Sequence, residues 1–155
     1  MLADQAPMLK SANATDSAAI RDLVRAAYAK WIPVIGREPG PMQADYDQHL
    51  KIHRFDLLVE DVTLVALVET QVRTDHLWIE NVAVHPDHQG KGYGTSLLAH
   101  AEKLARLAGV SELRLLTNAA FAANVALYER LGYRITHTEP FRNGTTLYMS
   151  KRLTD

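Results

Sequence analysis

The stretch Asn81-Val82-Ala83-Val84-His85-Pro86-Asp87-His88-Gln89-Gly90-Lys91-Gly92-Tyr93-Gly94-Thr95 decides how this chain is read. An apolar strand meets a proline turn, the turn feeds a glycine-rich loop, and the loop opens a helix. Three of the eight glycines fall within these last five positions before Thr95. Glycine has no Cβ, so a ligand can come close to the backbone. The first amides of the following helix have no partner within it and carry the positive end of its dipole. Such a loop is an anion site suited to phosphate, with Lys91 as a cation at its rim.

Two phosphate-binding patterns fail here. A Walker loop needs Gly-x-x-x-x-Gly-Lys-Ser/Thr, which the stretch does not supply. A dinucleotide fingerprint counted from Gly90 requires a third glycine where Thr95 stands, and the next strand ends in Thr117-Asn118 instead of an acid. The pattern that does fit is Gln89-x-x-Gly92-x-Gly94.

Working outward, Leu77 to Val84 reads as a strand stopped by His85-Pro86, and Gly94 to Ala108 as a helix with Leu97, Leu98, Ala101, Leu104 and Ala105 on one face. Leu57 to Glu60 and Thr63 to Thr70 are strands, Glu112 to Thr117 is another, and Asn124 to Leu131 is a helix closed by Gly132. Tyr133 to Pro140 and Thr145 to Lys151 form a hairpin, with a positive-φ turn expected at Asn143-Gly144. Before these lies a helix capped by Thr15 or Asp16 with Ile20, Leu23, Val24, Ala27 and Trp31 on its apolar face. A Pro/Gly-rich loop follows from Ile32 to Met42, then a short helix from Met42 to Ile52. The order is a mixed α/β chain, neither a doubly wound sheet nor a sandwich.

The composition is consistent with one domain over residues 1–155. The chain has 155 residues, 47% hydrophobic and 23% charged, which suits a globular fold. Seventeen basic against eighteen acidic side chains leave a formal charge of -1, which favours neither a nucleic acid nor an anionic membrane as partner. No signal peptide is expected at the start, and no apolar run approaches the length of a membrane span. The absence of cysteine excludes disulfides, thiolate zinc sites and an acyl-cysteine intermediate, and is compatible with a cytoplasmic location.

The run from Ile79-Glu80 through Gly94 resembles the acetyl-CoA-binding motif of the GNAT superfamily of N-acetyltransferases. So do Leu115-Leu116-Thr117-Asn118 and Asn124-Val125-Ala126-Leu127-Tyr128-Glu129-Arg130-Leu131-Gly132-Tyr133. The resemblance covers roughly residues 56 to 152 well and the N-terminal helices more loosely. It implies a GNAT-like fold: a central, mostly antiparallel sheet splayed between its fourth and fifth strands and flanked by about four helices. It also implies transfer of an acetyl group from acetyl-CoA to a primary amine in a ternary complex, without metal. The alternative from another class is a non-catalytic acetyl-CoA sensor or partner protein of the same fold. Dimerisation is common in the family, giving a homodimer as the expectation, and the sequence names no interface.

By the same resemblance, the CoA pyrophosphate falls to Gln89, Gly90, Lys91, Gly92, Tyr93, Gly94 and Thr95. The pantetheine arm pairs with the backbone of Val82, Ala83 and Val84, and amides near Val82 polarise the carbonyl. Tyr128 matches the general acid that reprotonates the leaving sulfur, against a reading as an ordinary half-buried helix tyrosine. Asn124, one turn before it, is a CoA contact in competition with Asn118, because the asparagine–tyrosine spacing departs from the commonest one. Glu80 is the candidate base, directly or through water; it also reads as a substrate-binding or merely solvent-facing strand glutamate.

The acceptor pocket is nominated from Trp31, Tyr46 and Glu80, with Ile32, Pro33 and Phe141 nearby and the loop to Met42 as rim. Glu38, Asp45 and Asp47 are acids that could attract a cationic amine. His49 and His53 have the i, i+4 spacing of a metal pair, but no third ligand is evident, so no metal is assigned. His85 is read as structural, and His53, His76, His88 and His100 as solvent-facing.

Overall fold

The computed structural model describes residues 6–154. Its strands are β1 (Met8–Ser11), β2 (Arg54–Glu60), β3 (Thr63–Val72), β4 (Leu77–Val84), β5 (Glu112–Asn118), β6 (Arg134–Phe141) and β7 (Gly144–Arg152). Its helices are α1 (Ser17–Tyr28), the single turn α2 (Ile32–Ile35), α3 (Tyr46–Ile52), α4 (Tyr93–Leu107) and α5 (Ala122–Arg130). The strands form one sheet in the order β1-β2-β3-β4-β5-β7-β6. Every neighbouring pair is antiparallel except β4 and β5, which run parallel and are joined through α4. The mixed α/β, GNAT-like architecture expected from the sequence is the one observed, and β1 is the strand that the sequence reading did not include.

The sheet has a core on each face. Leu58, Ala66, Val68, Leu77 and Ile79 pack with Leu97, Leu98, Ala101 and Ala105 of α4 and with Tyr128 of α5. Leu57, Leu67 and Ala83 pack with Ile20, Leu23, Val24 and Ala27 of α1 and with Tyr46 of α3. Neighbouring residues such as Leu57 and Leu58 therefore serve opposite cores, as strand geometry requires. The i, i+3, i+4 spacing of α1 and α4 supplies one apolar face per helix to each layer.

A bulge breaks this alternation in β4. Glu69 of β3 pairs with Asn81 and Thr70 pairs with Ile79, so Glu80 has no opposite number. Before it, Leu77 and Ile79 face α4; after it, Val82 and Val84 lie on that side, while Asn81 is turned toward α1. The extra residue thus re-aims Asn81 and sets Glu80 at the kink.

β4 and β5 are paired only at Leu77–Leu113 and Trp78–Arg114. Beyond Trp78 the strands part, and the β5-facing backbone of β4 has no strand partner. This is the splay between the fourth and fifth strands.

Several local details differ from expectation. Asp16 is the N-cap residue of α1, one of the two expected, but its side chain caps nothing in α1; it closes a capping box on the preceding 3₁₀ turn Ala14–Asp16, where Asn13 Oδ1 accepts from Thr15 N and Asp16 Oδ2 accepts from Asn13 N, both at 2.9 Å. The hairpin turn places positive φ on Arg142 (55°), not on Asn143 or Gly144, because the pairing Phe141–Gly144 leaves Arg142-Asn143 as a two-residue loop. The loop after Trp31 contains α2, ended by Gly36 in the left-handed region, and a 3₁₀ turn at Gly40–Gln43.

Candidate active site

Two clefts meet at the parting of β4 and β5. The first, of about 450 Å³, is lined by Val82, Ala83 and Val84, the loop residues His88 to Gly90 and Gly92 to Thr95, Asn124 and Leu127 of α5, and Lys30, Trp31 and Arg130. The second, of about 400 Å³, is lined by Arg37, Pro39, Gly40, Pro41, Tyr46, His49, Glu69, Glu80, Asn118, Phe121 and Phe141. Tyr28, Val82 and Tyr128 line both. The two cavities therefore adjoin, with these three residues between them.

The first cleft has the makings of an anion site. Gly90 and Gly92 take φ of 81° and 83°, with Gly92 as the residue that leads into α4. That conformation is open to glycine and strained for branched side chains. Gly94 meets a different demand: a Cβ there would lie 3.3 Å from Leu127 of α5. The bond from Ser96 N to Gly92 O opens the hydrogen-bond ladder of α4, which leaves the amides of Gly94 and Thr95 at the helix start without an intrahelical acceptor. Lys30 and Arg130 add cations to the same cleft. Gln89 is held across it, donating from Nε2 to Val84 O (3.3 Å) and accepting from Lys30 Nζ (3.4 Å).

Lys91 is turned away from this cleft. Its Nζ lies 3.1 Å from His88 Nδ1 and 3.7 Å from Glu60 Oε1. Glu60 also accepts from the Tyr93 hydroxyl; that bond first, then Lys91 and His88, holds its carboxyl below the usual range. Lys91 thus anchors the loop to β2 and is not the rim cation that its sequence position suggested.

At the junction, Tyr128 is buried and its hydroxyl has no hydrogen-bond partner among the described residues. Burial alone pushes its pKa up to about 12, so the phenol holds its proton at neutral pH. Its ring is braced edge-on by Tyr133 at 5.8 Å. Tyr28 Oη donates to Asn81 Oδ1 at 2.6 Å, tying α1 to the strand immediately after the bulge. Trp31 stacks on Phe121 at 4.9 Å, and Tyr28 meets the same ring edge-on at 6.2 Å.

In the second cleft, Glu80 is exposed and accepts from Trp78 Nε1 at 2.6 Å. Glu69 is 1% exposed and takes both imidazoles on one oxygen: His49 Nδ1 and His53 Nδ1 each lie 2.6 Å from Oε2. Desolvation raises the Glu69 pKa, and the two histidine bonds pull it down by less. Glu69 is the third side chain that the sequence could not supply for a His49–His53 metal pair. Two short hydrogen bonds already satisfy the carboxylate, with each Nδ1 donating when Glu69 is ionised.

The nominated residues divide between the clefts. Val82 to Val84, Gln89, Gly90, Gly92 to Thr95 and Asn124 share the first, while Asn118 lies in the second, its Oδ1 accepting from Ala120 N at 2.9 Å. Tyr46 and Glu80 line the second, as expected of acceptor residues; Trp31 lines the first instead. Tyr46 is buried and donates to Pro41 O at 2.6 Å, fastening the loop over α3. His85 is structural, its Nδ1 accepting from Asp87 N. His53 and His76 are not solvent-facing: side-chain exposure is 8% and 9%, with His53 bonded to the buried Glu69 and His76 to the exposed Asp75. His100 and His88 are likewise mostly covered, 3.3 Å from Asp56 and Glu60. Sequence reasoning missed Tyr28, Asn81, Arg37, Glu69 and Phe121 as site residues.

No helix among the described residues is long and apolar enough to cross a membrane. The acetyltransferase (GNAT) family profile matches residues 18–133. Among curated proteins, the chain is 40% identical over 76 residues to the ribosomal protein bS18-alanine N-acetyltransferase of Escherichia coli K12, an alignment covering 49% of this chain and 51% of that one. It is 34% identical over 73 residues to the streptothricin acetyltransferase of Streptomyces lavendulae, covering 47% and 39%. The chain thus spans about half the length of the curated relatives it matches. Among solved structures, the PaiA N-acetyltransferase of Thermoplasma acidophilum in complex with coenzyme A superposes with a TM-score of 0.82 at 17% identity, over 96% of this chain and 99% of that one. The E. coli ribosomal-protein-S18-alanine N-acetyltransferase gives 0.78 at 24% identity, over 96% and 95%.

Proposed function

Because the chain belongs to the acetyltransferase (GNAT) family, we propose that it transfers an acetyl group from acetyl-CoA to a primary amine. The observation that carries this reading is the parting of β4 from β5 beyond Trp78, with the glycine loop at one end of the gap and Tyr128 at its middle. A strand interior to a sheet with no neighbour on one side calls for an outside partner for its backbone groups. An extended pantetheine arm against Val82, Ala83 and Val84 meets that need.

The residues present fit this cosubstrate. The amides of Gly94 and Thr95, with the backbone of Gly90 and Gly92 beside them, face a pyrophosphate, and Lys30 and Arg130 offset its charge. Asn124, in the same cleft, is the better candidate for a CoA contact than Asn118. Bound there, acetyl-CoA supplies an activated thioester. The chain's own residues then handle two protons.

Glu80, exposed in the acceptor cleft at the β4 kink, takes the proton of the incoming ammonium directly or through water. Tyr128, protonated and without another partner, donates to the departing sulfur from the point where the clefts join. Its raised pKa keeps the proton in place before transfer and makes it a weaker acid than a free phenol; charge growing on the sulfur draws the proton across. The absence of cysteine agrees with direct transfer to the amine.

The reading is tested by incubating the protein with acetyl-CoA and a panel of primary amines, from amino acids to peptide N-termini, and following thiol release with mass analysis of the acceptor. A one-acetyl mass gain matched by thiol release is expected for at least one amine. Release with no amine selectively acetylated, or no release at all, removes the reading.

A further inference from the structure

Arg37 lies in the acceptor cleft without a counter-ion. Its Nε is buried and makes no hydrogen bond, and no carboxylate among the described residues pairs with its guanidinium, although Glu38 is its neighbour in sequence. An arginine kept for structural reasons ordinarily has such partners, since five donors in a fixed fork are costly to leave unmet. The backbone that carries it is constrained on both sides. Gly36, at φ 76°, ends α2 just before it with an amide bond to Ile32 O of 2.8 Å, and Pro39 is buried just after it. Its Cζ stands 5.6 Å from the Phe141 ring, whose centre is also 5.4 Å from Arg142 Cζ. A planar cation beside an aromatic ring, with no acceptor for its donors among the described residues, matches the two oxygens of a carboxylate.

The other charged groups lining the cleft are acids and histidine: Glu80 at the β4 kink, and Glu69 with His49. The cavity therefore offers a cation on the loop side and carboxylates on the sheet side. Two of its tyrosine hydroxyls are committed, Tyr46 to Pro41 O and Tyr28 to Asn81, and the third, Tyr128, stands where the two clefts adjoin. We propose that Arg37 selects an acceptor that carries a carboxylate together with its reacting amine, so that the substrate class is an amino acid or a close relative of one. This rests on reading the second cleft as the acceptor site. An amine without a carboxylate leaves Arg37 as unmet as it is now and gains nothing from it.

The test uses binding as well as turnover. N-acetylated amino acids, the products of such a reaction, and their matched carboxamides are titrated into the full-length protein with CoA present. The same titrations are made with Arg37→Gln and Arg37→Lys, whose melting temperatures check the fold. The carboxylates are expected to bind the wild type roughly 10- to 100-fold more tightly than the carboxamides. Arg37→Gln removes that difference and Arg37→Lys recovers part of it. Equal binding of acid and amide, no binding of any acid in the panel, or a preference that survives Arg37→Gln overturns the proposal. If the acid preference holds while no amine is acetylated, the carboxylate site stands and the transferase reading falls; acetylation that favours amines lacking a carboxylate does the reverse.

Discussion

His53 Nδ1 and Glu69 Oε2 meet at 2.6 Å beside the cleft lined by Tyr46 and Glu80, with the glutamate 1% exposed. His49 shares the same oxygen from one turn earlier on α3, so a single buried carboxylate fastens that helix to β3. Burial outweighs both histidine bonds and raises the Glu69 pKa. A carboxyl with a raised folded pKa binds its proton more tightly folded than unfolded. The stability this confers is present below the unfolded value, about 4.3, and is lost as pH rises through the folded pKa. Glu69→Gln removes that titration while keeping an oxygen for the imidazoles. The melting temperature of the wild type, relative to Glu69→Gln, is expected to fall as pH rises from about 4 toward neutrality. Parallel curves would contradict the role of burial at this site.

Tyr128→Phe deletes a hydroxyl that has no protein partner, so little stability should be lost with it. Turnover is expected to fall about 10²- to 10⁴-fold, the usual range for loss of a positioned acid. The acetyl-CoA dissociation constant should stay within about threefold. Steady-state kinetics alongside direct binding separates the two, and unchanged turnover removes Tyr128 as the proton donor.

Glu80→Gln keeps the hydrogen bond from Trp78 Nε1 and removes the base. A rate loss of about 10²-fold is expected at neutral pH, shrinking as pH rises and more of the acceptor amine arrives unprotonated. A rate–pH profile that superposes on the wild type assigns the proton to another group.

Gly92→Val places a β-branched residue at φ 83°, although a Cβ there meets no atom within 4 Å. The damage is therefore conformational, not steric. Strain of about 1–3 kcal/mol, relieved by shifting the loop, is expected to weaken acetyl-CoA binding roughly 10- to 100-fold with the helical circular dichroism retained. Wild-type affinity in this variant would separate the loop from the pyrophosphate.

The strand–loop–helix from Leu77 to α4 was legible because each signal is local: an apolar run, His85-Pro86, spaced glycines, then helical periodicity. The bulge was not. Leu77, Ile79, Asn81 and Ala83 alternate in the sequence as if on one face, and only the pairing with Glu69 and Thr70 shows that Glu80 is the extra residue. Asn81 was for that reason read as part of the strand and not as the partner of Tyr28. The spacing of His49 and His53 was plain, but Glu69 sits 16 residues beyond His53 in an apolar strand, and its approach depends on how α3 crosses β3. Trp31 and Lys91 had informative neighbours in sequence, yet each is drawn elsewhere: Trp31 by the Phe121 ring, Lys91 by Glu60 and His88. Arg37 left no sequence signal, since an unpaired guanidinium is recognised only once its surroundings are known.

The proposed transfer requires the gap between β4 and β5, with the glycine loop at its mouth, to be an acetyl-CoA site. The most direct measurement is a calorimetric titration of the protein with acetyl-CoA, NAD and ATP under one set of conditions. Saturable binding of acetyl-CoA at one site per chain, with NAD and ATP far weaker, is the predicted result. Binding of NAD or ATP as tight as acetyl-CoA, or no binding of acetyl-CoA, would contradict it.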